Sequence, residues 1–389
     1  MVRVLTWPDV TTAINPYLRL FYRALEPWQI RVVGRIPLAN DVLRRMRADA
    51  DVLHIHWGPD NLWRNRGGGF LRRIHGLIGL ARLLRLARNL GMKIIWTIHD
   101  LESHDRSDFL DRRGYRLLVS NADLCICHDE EAYEQSLRRM GCRAEKLLIM
   151  AHGNYDGEFP APCPRQTTLS ALGLDDSRRT LLCFGLARPY KGFDLAIEAM
   201  NRLPSSYQLI VAGAALDKQY GEELLHKAAG NSRICLLLRE QSSAELANLV
   251  HACDGVVLPY RRITGSGVLL TAATLCRGVV ASDLPYFRRT IAPEAAAGTL
   301  FRPGDAIDLA RAVEQYFSVP VATRHEAARR IADAAAWDKV VLPVAHWFQY
   351  AFRDGIAPAT ESIHQVSGTS KVQSIQERTE KTELDARTY

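Results

Sequence analysis

Thr180-Leu181-Leu182-Cys183-Phe184-Gly185-Leu186-Ala187-Arg188-Pro189-Tyr190-Lys191-Gly192 reads as a buried strand, a short loop and the opening of a helix. The apolar run stops at Gly185, Pro189 cannot continue a strand, and a helical pattern follows Gly192. Similar runs rich in Val, Ile and Leu recur at 208–213, 234–238, 255–258 and 278–282, separated by longer helical patterns. Others precede it, at 2–7, 30–34, 52–56, 93–99, 124–128 and 146–150. Strands alternating with helices predict parallel sheets with crossovers of one hand. The fold class expected is therefore α/β, with two Rossmann-like doubly wound parallel-sheet domains facing a cleft, and ligands gathered at the carboxyl ends of the strands.

A chain of 389 residues is long for one core, which also favours two domains. The stretch rich in Gly and Pro at 153–164 is the expected boundary. It predicts one domain over 1–155, a second over 156–340, a closing helix over 341–361 that packs toward the first, and a disordered polar tail over 362–389. Helical patterns are expected at 304–317 and 324–352.

Hydrophobic residues make up 47% of the chain and charged residues 24%, an ordinary globular balance that excludes a fibrous or wholly disordered protein. No signal-peptide pattern opens the sequence, and arginines interrupt its most apolar stretch, 70–90, so neither export nor a membrane span is expected. The eight cysteines are scattered, without metal-ligand or redox spacing, which predicts reduced thiols in a cytoplasmic protein. Net charge is +7. Residues 1–150 carry 24 Lys and Arg against 17 Asp and Glu, and the remainder 26 against 26. A basic first domain suits an anionic membrane surface or a phosphate-bearing acceptor; nucleic acid is not among the expected partners. Within 70–90, Leu71, Ile74, Leu77, Ile78, Ala81 and Leu84 form one stripe with arginines at its borders, expected to pack on the first sheet as a crossover helix; the alternative is a basic amphipathic surface that docks on a membrane.

The loop quoted above places two cations at one point. Arg188 can grip phosphate oxygens with a fork and Lys191 adds a point charge, beside a helix terminus that favours anions. After the strand at 255–258, Gly265, Ser266 and Gly267 open an apolar helix and can present N–H donors and a hydroxyl to a diphosphate. Tyr190, Tyr260 and Thr271 are the candidates for nucleotide or sugar contacts. In the first domain, Asp9, His56, His99, Asp100, Glu102 and His104 lie at expected strand ends facing the cleft. His54 and His56 share a strand face, but two histidines alone make an incomplete metal site, and no metal is expected.

The order Phe-Gly-x-x-Arg-x-Tyr-Lys-Gly, then Leu-Pro-Tyr, then Ser-Gly opening a helix, then Val-Val-Ala-Ser-Asp at 279–283, resembles the donor domain of GT-B glycosyltransferases. Asn15-Pro16-Tyr17, His54-Ile55-His56-Trp57 and Thr97-Ile98-His99-Asp100-Leu101, with His104, are similar to bacterial exopolysaccharide mannosyltransferases, especially xanthan-type β-mannosyltransferases. The resemblance covers about residues 1–350. It implies transfer of mannose from GDP-mannose onto a lipid-linked oligosaccharide, on the inner face of the cytoplasmic membrane, with no cofactor beyond the nucleotide sugar; a UDP-linked glucose or glucuronate is the alternative donor. Many retaining GT-B enzymes carry one glutamate before the donor-domain helix and another within it, where this sequence has Ile263 or Thr264 and then Thr271. Leu186 takes the usual place of the phosphate-loop arginine, and Arg188 follows two residues later. The missing glutamates fit the β-mannosyltransferase likeness, which implies inversion, and the incomplete metal site at His54 and His56 predicts a metal-independent transfer. Its base would come from the first domain: Asp100, with His99 orienting substrate and Asp9 as a further candidate, and Asn15, Tyr17, His56 and His104 on the acceptor side.

Two other classes are tested by the same residues. A dinucleotide-dependent oxidoreductase lacks its glycine fingerprint, because Trp7-Pro8-Asp9-Val10 follows the first strand. A non-catalytic sugar-binding protein would leave Arg188 and Lys191 without a diphosphate to hold.

Overall fold

The computed structural model describes residues 1–8, 10, 15–35, 50–57, 63, 69–99, 108–263 and 265–352. Asp9, Asp100, Glu102, His104 and Thr264 lie outside them, as does the tail over 362–389.

The first sheet comprises β1 (Val2–Trp7), β2 (Ile30–Arg35), β3 (Val52–Ile55), β4 (Lys93–Ile98), β5 (Leu124–Cys127) and β6 (Leu147–Ile149). All are parallel, in the order β2-β1-β3-β4-β5-β6. The second has β7 (Arg179–Phe184), β8 (Tyr207–Ala212), β9 (Ile234–Leu237), β10 (Gly255–Leu258), β11 (Val279–Ser282) and β12 (Gly298–Phe301), in the order β12-β11-β10-β7-β8-β9. Sequence reading missed β12, whose Gly-Thr-Leu-Phe is too short to show a period. In each sheet the chain first winds one way and then returns past its starting strand. The reversal falls between β1 and β3 in the first sheet and between β7 and β10 in the second, and crevices for ligands open at such points.

Fourteen α-helices complete the order: α1 (Tyr17–Leu25), α2 (Phe70–Asn89), α3 (Phe109–Asn121), α4 (Glu130–Gln135), α5 (Arg165–Ala171), α6 (Phe193–Ala199), α7 (Lys218–Ala228), α8 (Ser243–Ala252), α9 (Gly267–Thr274), α10 (Pro285–Ile291), α11 (Ala306–Ser318), α12 (Val321–Ala334), α13 (Trp337–Val340) and α14 (Leu342–Ala351), as counted among the described residues. The pattern expected over 324–352 is thus three helices. Ala336 turns to extended backbone before α13, and Pro343 restarts the helix in the first turn of α14.

Side chains alternate across each sheet, so one strand feeds two cores. Val4, Val52, Ile95 and Ile126 face α1 and the C-terminal helices, in a cluster that continues through Tyr155 and Trp337 to the second sheet. Leu5, Leu53, Ile55, Trp96 and Cys125 face α2 and α3. The Trp337 ring lies 5.2 Å from Tyr17 and 6.1 Å from Phe21, and its Nε1 donates to the Asn154 carbonyl at 2.7 Å. The C-terminal helices thereby anchor on α1 and on the segment between the sheets. Trp337→Phe should cost about 1–2 kcal/mol in urea unfolding, because it strips that buried carbonyl of its donor while keeping most of the apolar contact. An unchanged midpoint would show that the indole bond adds nothing.

Helix α2 corrects the expected stripe. Its buried residues are Leu80, Leu83, Leu84 and Ala87, while Leu71 is 71% exposed and Ile78 44%. Of the expected set only Leu84 is fully inside. The helix turns this way because Gly76 sits against the Trp63 backbone, where a Cβ would meet the Trp63 Cα at 2.6 Å. Gly76, Leu80, Leu83 and Ala87 make the inner stripe, and a glycine reads as no contact at all in an apolar periodicity.

Candidate active site

β7 ends at Phe184, and Gly185 follows with φ 94°, a conformation that favours glycine. A Cβ there would stand 2.8 Å from Lys191 Nζ and 3.3 Å from Val268 Cγ2. The turn after β7 therefore brings Lys191 and the first turn of α9 together, although 77 residues separate Lys191 from Val268 in the chain. Lys191 is only 8% exposed, and its Nζ lies 5.7 Å from the Tyr260 ring centroid. Burial, and then the charge of Arg188, push its ammonium down to about 8. A buried cation held beside a second cation is costly, and an entering anion would relieve that cost. Arg188 is half-buried at the start of the turn over Pro189–Lys191.

Arg261, which sequence reading left without a role, ties the two loops together. Its Nη2 donates to Asp194 Oδ2 at 2.6 Å, its Nη1 to Asp194 Oδ1 at 3.1 Å and its backbone N–H to the Tyr190 carbonyl at 2.7 Å. The loop after β10 is thus fastened to the loop after β7, with Tyr190 and Tyr260 rings 6.1 Å apart, edge to face. The Tyr260 hydroxyl is buried and meets no partner of normal geometry among the described residues.

Ser266 caps α9: its hydroxyl oxygen accepts from the Leu269 N–H at 3.1 Å. The first-turn N–H groups of α9, which have no carbonyl partner within the helix, favour an anion at this end. Gly265 is exposed beside it, and Thr271 is buried in the body of the helix. A Cβ on Gly267 would stand 2.6 Å from the Tyr155 hydroxyl. Tyr155 in turn donates to Asn15 Oδ1 at 3.5 Å, and the same oxygen accepts from the Tyr17 N–H at 3.0 Å. Asn15 therefore joins the start of α1 to the start of α9. Asp129 and Arg289 make a second link, at 2.9 Å, between the amino end of α4 and α10.

Facing this is a histidine array at the carboxyl ends of β3, β4, β5 and β6. Parallel register places Thr6, His54 and Ile95 side by side on one face, with His56, Thr97, His99 and His128 continuing it. His128 Nδ1 lies 2.9 Å from the Met150 carbonyl, which only accepts, so that nitrogen carries the proton. Its Nε2 then accepts from His99 Nδ1 at 3.2 Å, and His99 Nε2 faces His56 Nδ1 at 3.4 Å. Trp57 stacks on His99 with centroids 4.2 Å apart. Tyr17 is fully buried among the rings, 4.8 Å from His152, and packs the array from behind. Burial first, and then the neighbouring histidines, hold His56 and His99 well below the ordinary imidazole range. Burial takes His54 and His152 to about 3. His54 also bonds the Tyr22 hydroxyl at 2.6 Å and Thr97 Oγ1 at 2.8 Å. His54, His56, His99 and His152 are neutral at physiological pH, suited to orienting hydroxyl groups more than to taking a proton outright.

Residues 164–336, which include the Lys191 loop and α9, match the family described as glycosyl transferases group 1. The second domain is a group 1 glycosyltransferase domain. The whole chain has the GT-B arrangement of two Rossmann-like units: it superposes with a TM-score of 0.71 on sucrose-phosphate synthase from Thermosynechococcus elongatus, at 16% identity over 90% of this chain and 99% of the other. The Anabaena protein HepE, bound to UDP and glucose, gives 0.67 at 15% identity over 90% and 99%. In sequence the chain is 28% identical over 304 residues, 76% of each chain, to the GDP-mannose:glycolipid 4-beta-D-mannosyltransferase of Xanthomonas campestris pv. campestris. It is also 28% identical to the D-inositol 3-phosphate glycosyltransferase of Mycobacterium marinum, over 52% of this chain and 43% of that one.

The structure brings together Arg188, Tyr190, Lys191, Tyr260, Gly265, Ser266 and Gly267 at one end of the second sheet, and His56 and His99 at the facing end of the first. It adds His128, His152 and Tyr155, which sequence reading missed. His128 follows β5 as His99 follows β4, so the strand-end rule applied to the fifth strand would have found it. All eight cysteines are free. Among the described residues no three His, Cys, Asp or Glu side chains are grouped to hold a metal ion, and no helix is long and apolar enough to cross a membrane.

Proposed function

We propose that this glycosyltransferase moves mannose from GDP-mannose, with inversion, onto a lipid-linked oligosaccharide in exopolysaccharide biosynthesis. The supporting observation is the Xanthomonas relative, whose match spans three-quarters of both chains and so both domains. In this reading Lys191, Arg188 and the first N–H groups of α9 neutralise the leaving diphosphate without a metal ion, and the nucleotide sugar is the only co-substrate. The histidine array orients the acceptor, and a first-domain carboxylate, Asp100, accepts the proton of its hydroxyl as that oxygen attacks the anomeric carbon. Thr271 stands in α9 without a carboxylate, which suits a single displacement. An acceptor carried on lipid puts the reaction at a membrane surface, and the proposal places the enzyme on its cytoplasmic side.

A panel of GDP- and UDP-linked sugars with a glycolipid acceptor tests the donor, and NMR of the anomeric proton and carbon tests the stereochemistry. The expected product from α-linked GDP-mannose is a β-mannoside. An α-linked product would remove inversion, and turnover of a UDP-sugar alone would remove GDP-mannose.

A further inference from the structure

Large apolar side chains are exposed where α2 and α3 begin. Phe70 is 65% exposed, Leu71 71% and Phe109 58%, with Ile78 two turns further along the outer face of α2 at 44%. The two helix starts are neighbours, because Arg73 Nη1 and Nη2 bind the Asp108 carboxylate at 2.5 and 2.8 Å and Nη2 also reaches Asp111 Oδ1 at 3.1 Å. These bonds hold together the two helix starts that carry the exposed Phe70, Leu71 and Phe109. Both buttressing carboxylates are occupied by Arg73, and Asp111 is fully buried and also accepts from Trp63 Nε1 at 2.9 Å. Among the described residues of the two helices the remaining exposed charge is positive at Arg72, Arg82, Arg112, Arg113 and Arg116, and the twenty residues of α2 include no Asp or Glu. Arg113 lies 5.1 Å over the Phe109 ring, so a cation travels with that aromatic.

Exposed apolar side chains at two neighbouring helix starts, accompanied by exposed arginines, match the layered chemistry of an anionic lipid surface, with acyl chains beneath and phosphates above. A protein partner of the usual interface size would need a broader covered face than these four side chains supply. Direction adds a second argument. A crossover helix runs back along its sheet, so α2 and α3 begin at the carboxyl ends of β3 and β4, the side on which His56 and His99 stand.

We propose that the starts of α2 and α3 dock this protein on an anionic bilayer, with Phe70, Leu71 and Phe109 inserted and the arginines on lipid phosphates. The use of this surface, delivery of an amphiphilic acceptor to the histidine array, rests on the reading given under Proposed function, but docking itself does not require turnover.

The test is flotation of the full chain with vesicles of phosphatidylcholine alone or mixed with phosphatidylglycerol. Binding is expected to the mixed vesicles, weakening as salt is raised. The triple variant Phe70→Ser, Leu71→Ser, Phe109→Ser should lower partitioning about tenfold or more, since three inserted apolar side chains are lost. Arg72→Gln with Arg112→Gln should remove the preference for the anionic vesicles. These side chains are exposed, so thermal unfolding should stay at the wild-type temperature. Transfer onto a short-chain, water-soluble acceptor should also be unchanged in the triple variant. Wild-type partitioning by the triple variant would overturn the proposal, as would binding to neither vesicle, or self-association in size-exclusion chromatography that the triple variant abolishes without any vesicle binding. Vesicle binding with no turnover of any nucleotide sugar would keep the docking surface and refute the proposed reaction.

Discussion

Lys191→Ala should lower kcat/KM for the nucleotide sugar by about 30- to 1,000-fold, corresponding to about 2–4 kcal/mol of lost transition-state stabilisation. The size follows from burial. The ammonium sits over the Gly185 turn, away from water, where a preorganised cation acts on a leaving diphosphate far more strongly than a solvated one could. Arg188→Ala should produce a smaller loss, because that side chain is only half-buried. The pH dependence supplies an independent reading. Burial and Arg188 lower the Lys191 ammonium to about 8, so the protonated form is lost as pH rises through about 8, and kcat/KM, which reports the free enzyme, should fall there. Lys191→Arg should retain its charge and abolish that limb. Stability should move the other way. A lysine whose folded value lies below its unfolded one costs stability while protonated, and the cost is relieved as pH climbs from about 8 toward the ordinary value of 10.5. Wild-type kinetics in Lys191→Ala, with the fall near pH 8 retained, would remove the lysine from the donor site.

Asp100→Asn should cut kcat by about a hundredfold or more while leaving the KM for the donor nearly unchanged, the pattern of a lost general base. The environment of its neighbour supports this choice. His99 is held neutral, far below the ordinary imidazole range, by burial and by the other histidines, which makes it a poor proton acceptor. His99→Gln is then expected to raise the KM for the acceptor more than it lowers kcat, since a ring that orients hydroxyl groups contributes mainly to binding. If Asp100→Asn keeps wild-type turnover, the base moves to Asp9, and the same pair of measurements on Asp9→Asn decides it.

The strands other than β12, the two-domain plan and the cation-bearing loop at Arg188 to Gly192 were legible in the sequence, because each is written locally. An apolar run of strand length, a glycine that ends it and a helical period after it need no knowledge of the rest of the chain. The same holds for Gly265 to Gly267, where small residues before an apolar helix mark its start. What only the tertiary structure decided is which of these local pieces meet. Asn15 and Tyr155 are 140 residues apart, and their bond links the start of α1 to the segment packed against the start of α9. His56, His99, His128 and His152 become one array through strand register, which pairing between distant segments sets. The outer face of α2 depended on the contact of Gly76 with Trp63, so periodicity along the helix could identify its apolar residues without saying which of them turn to water. Local sequence determines the elements, because backbone propensity and periodicity act over a few residues. Their faces and junctions are determined by packing between segments far apart in the chain, and the candidate active site is made at those junctions.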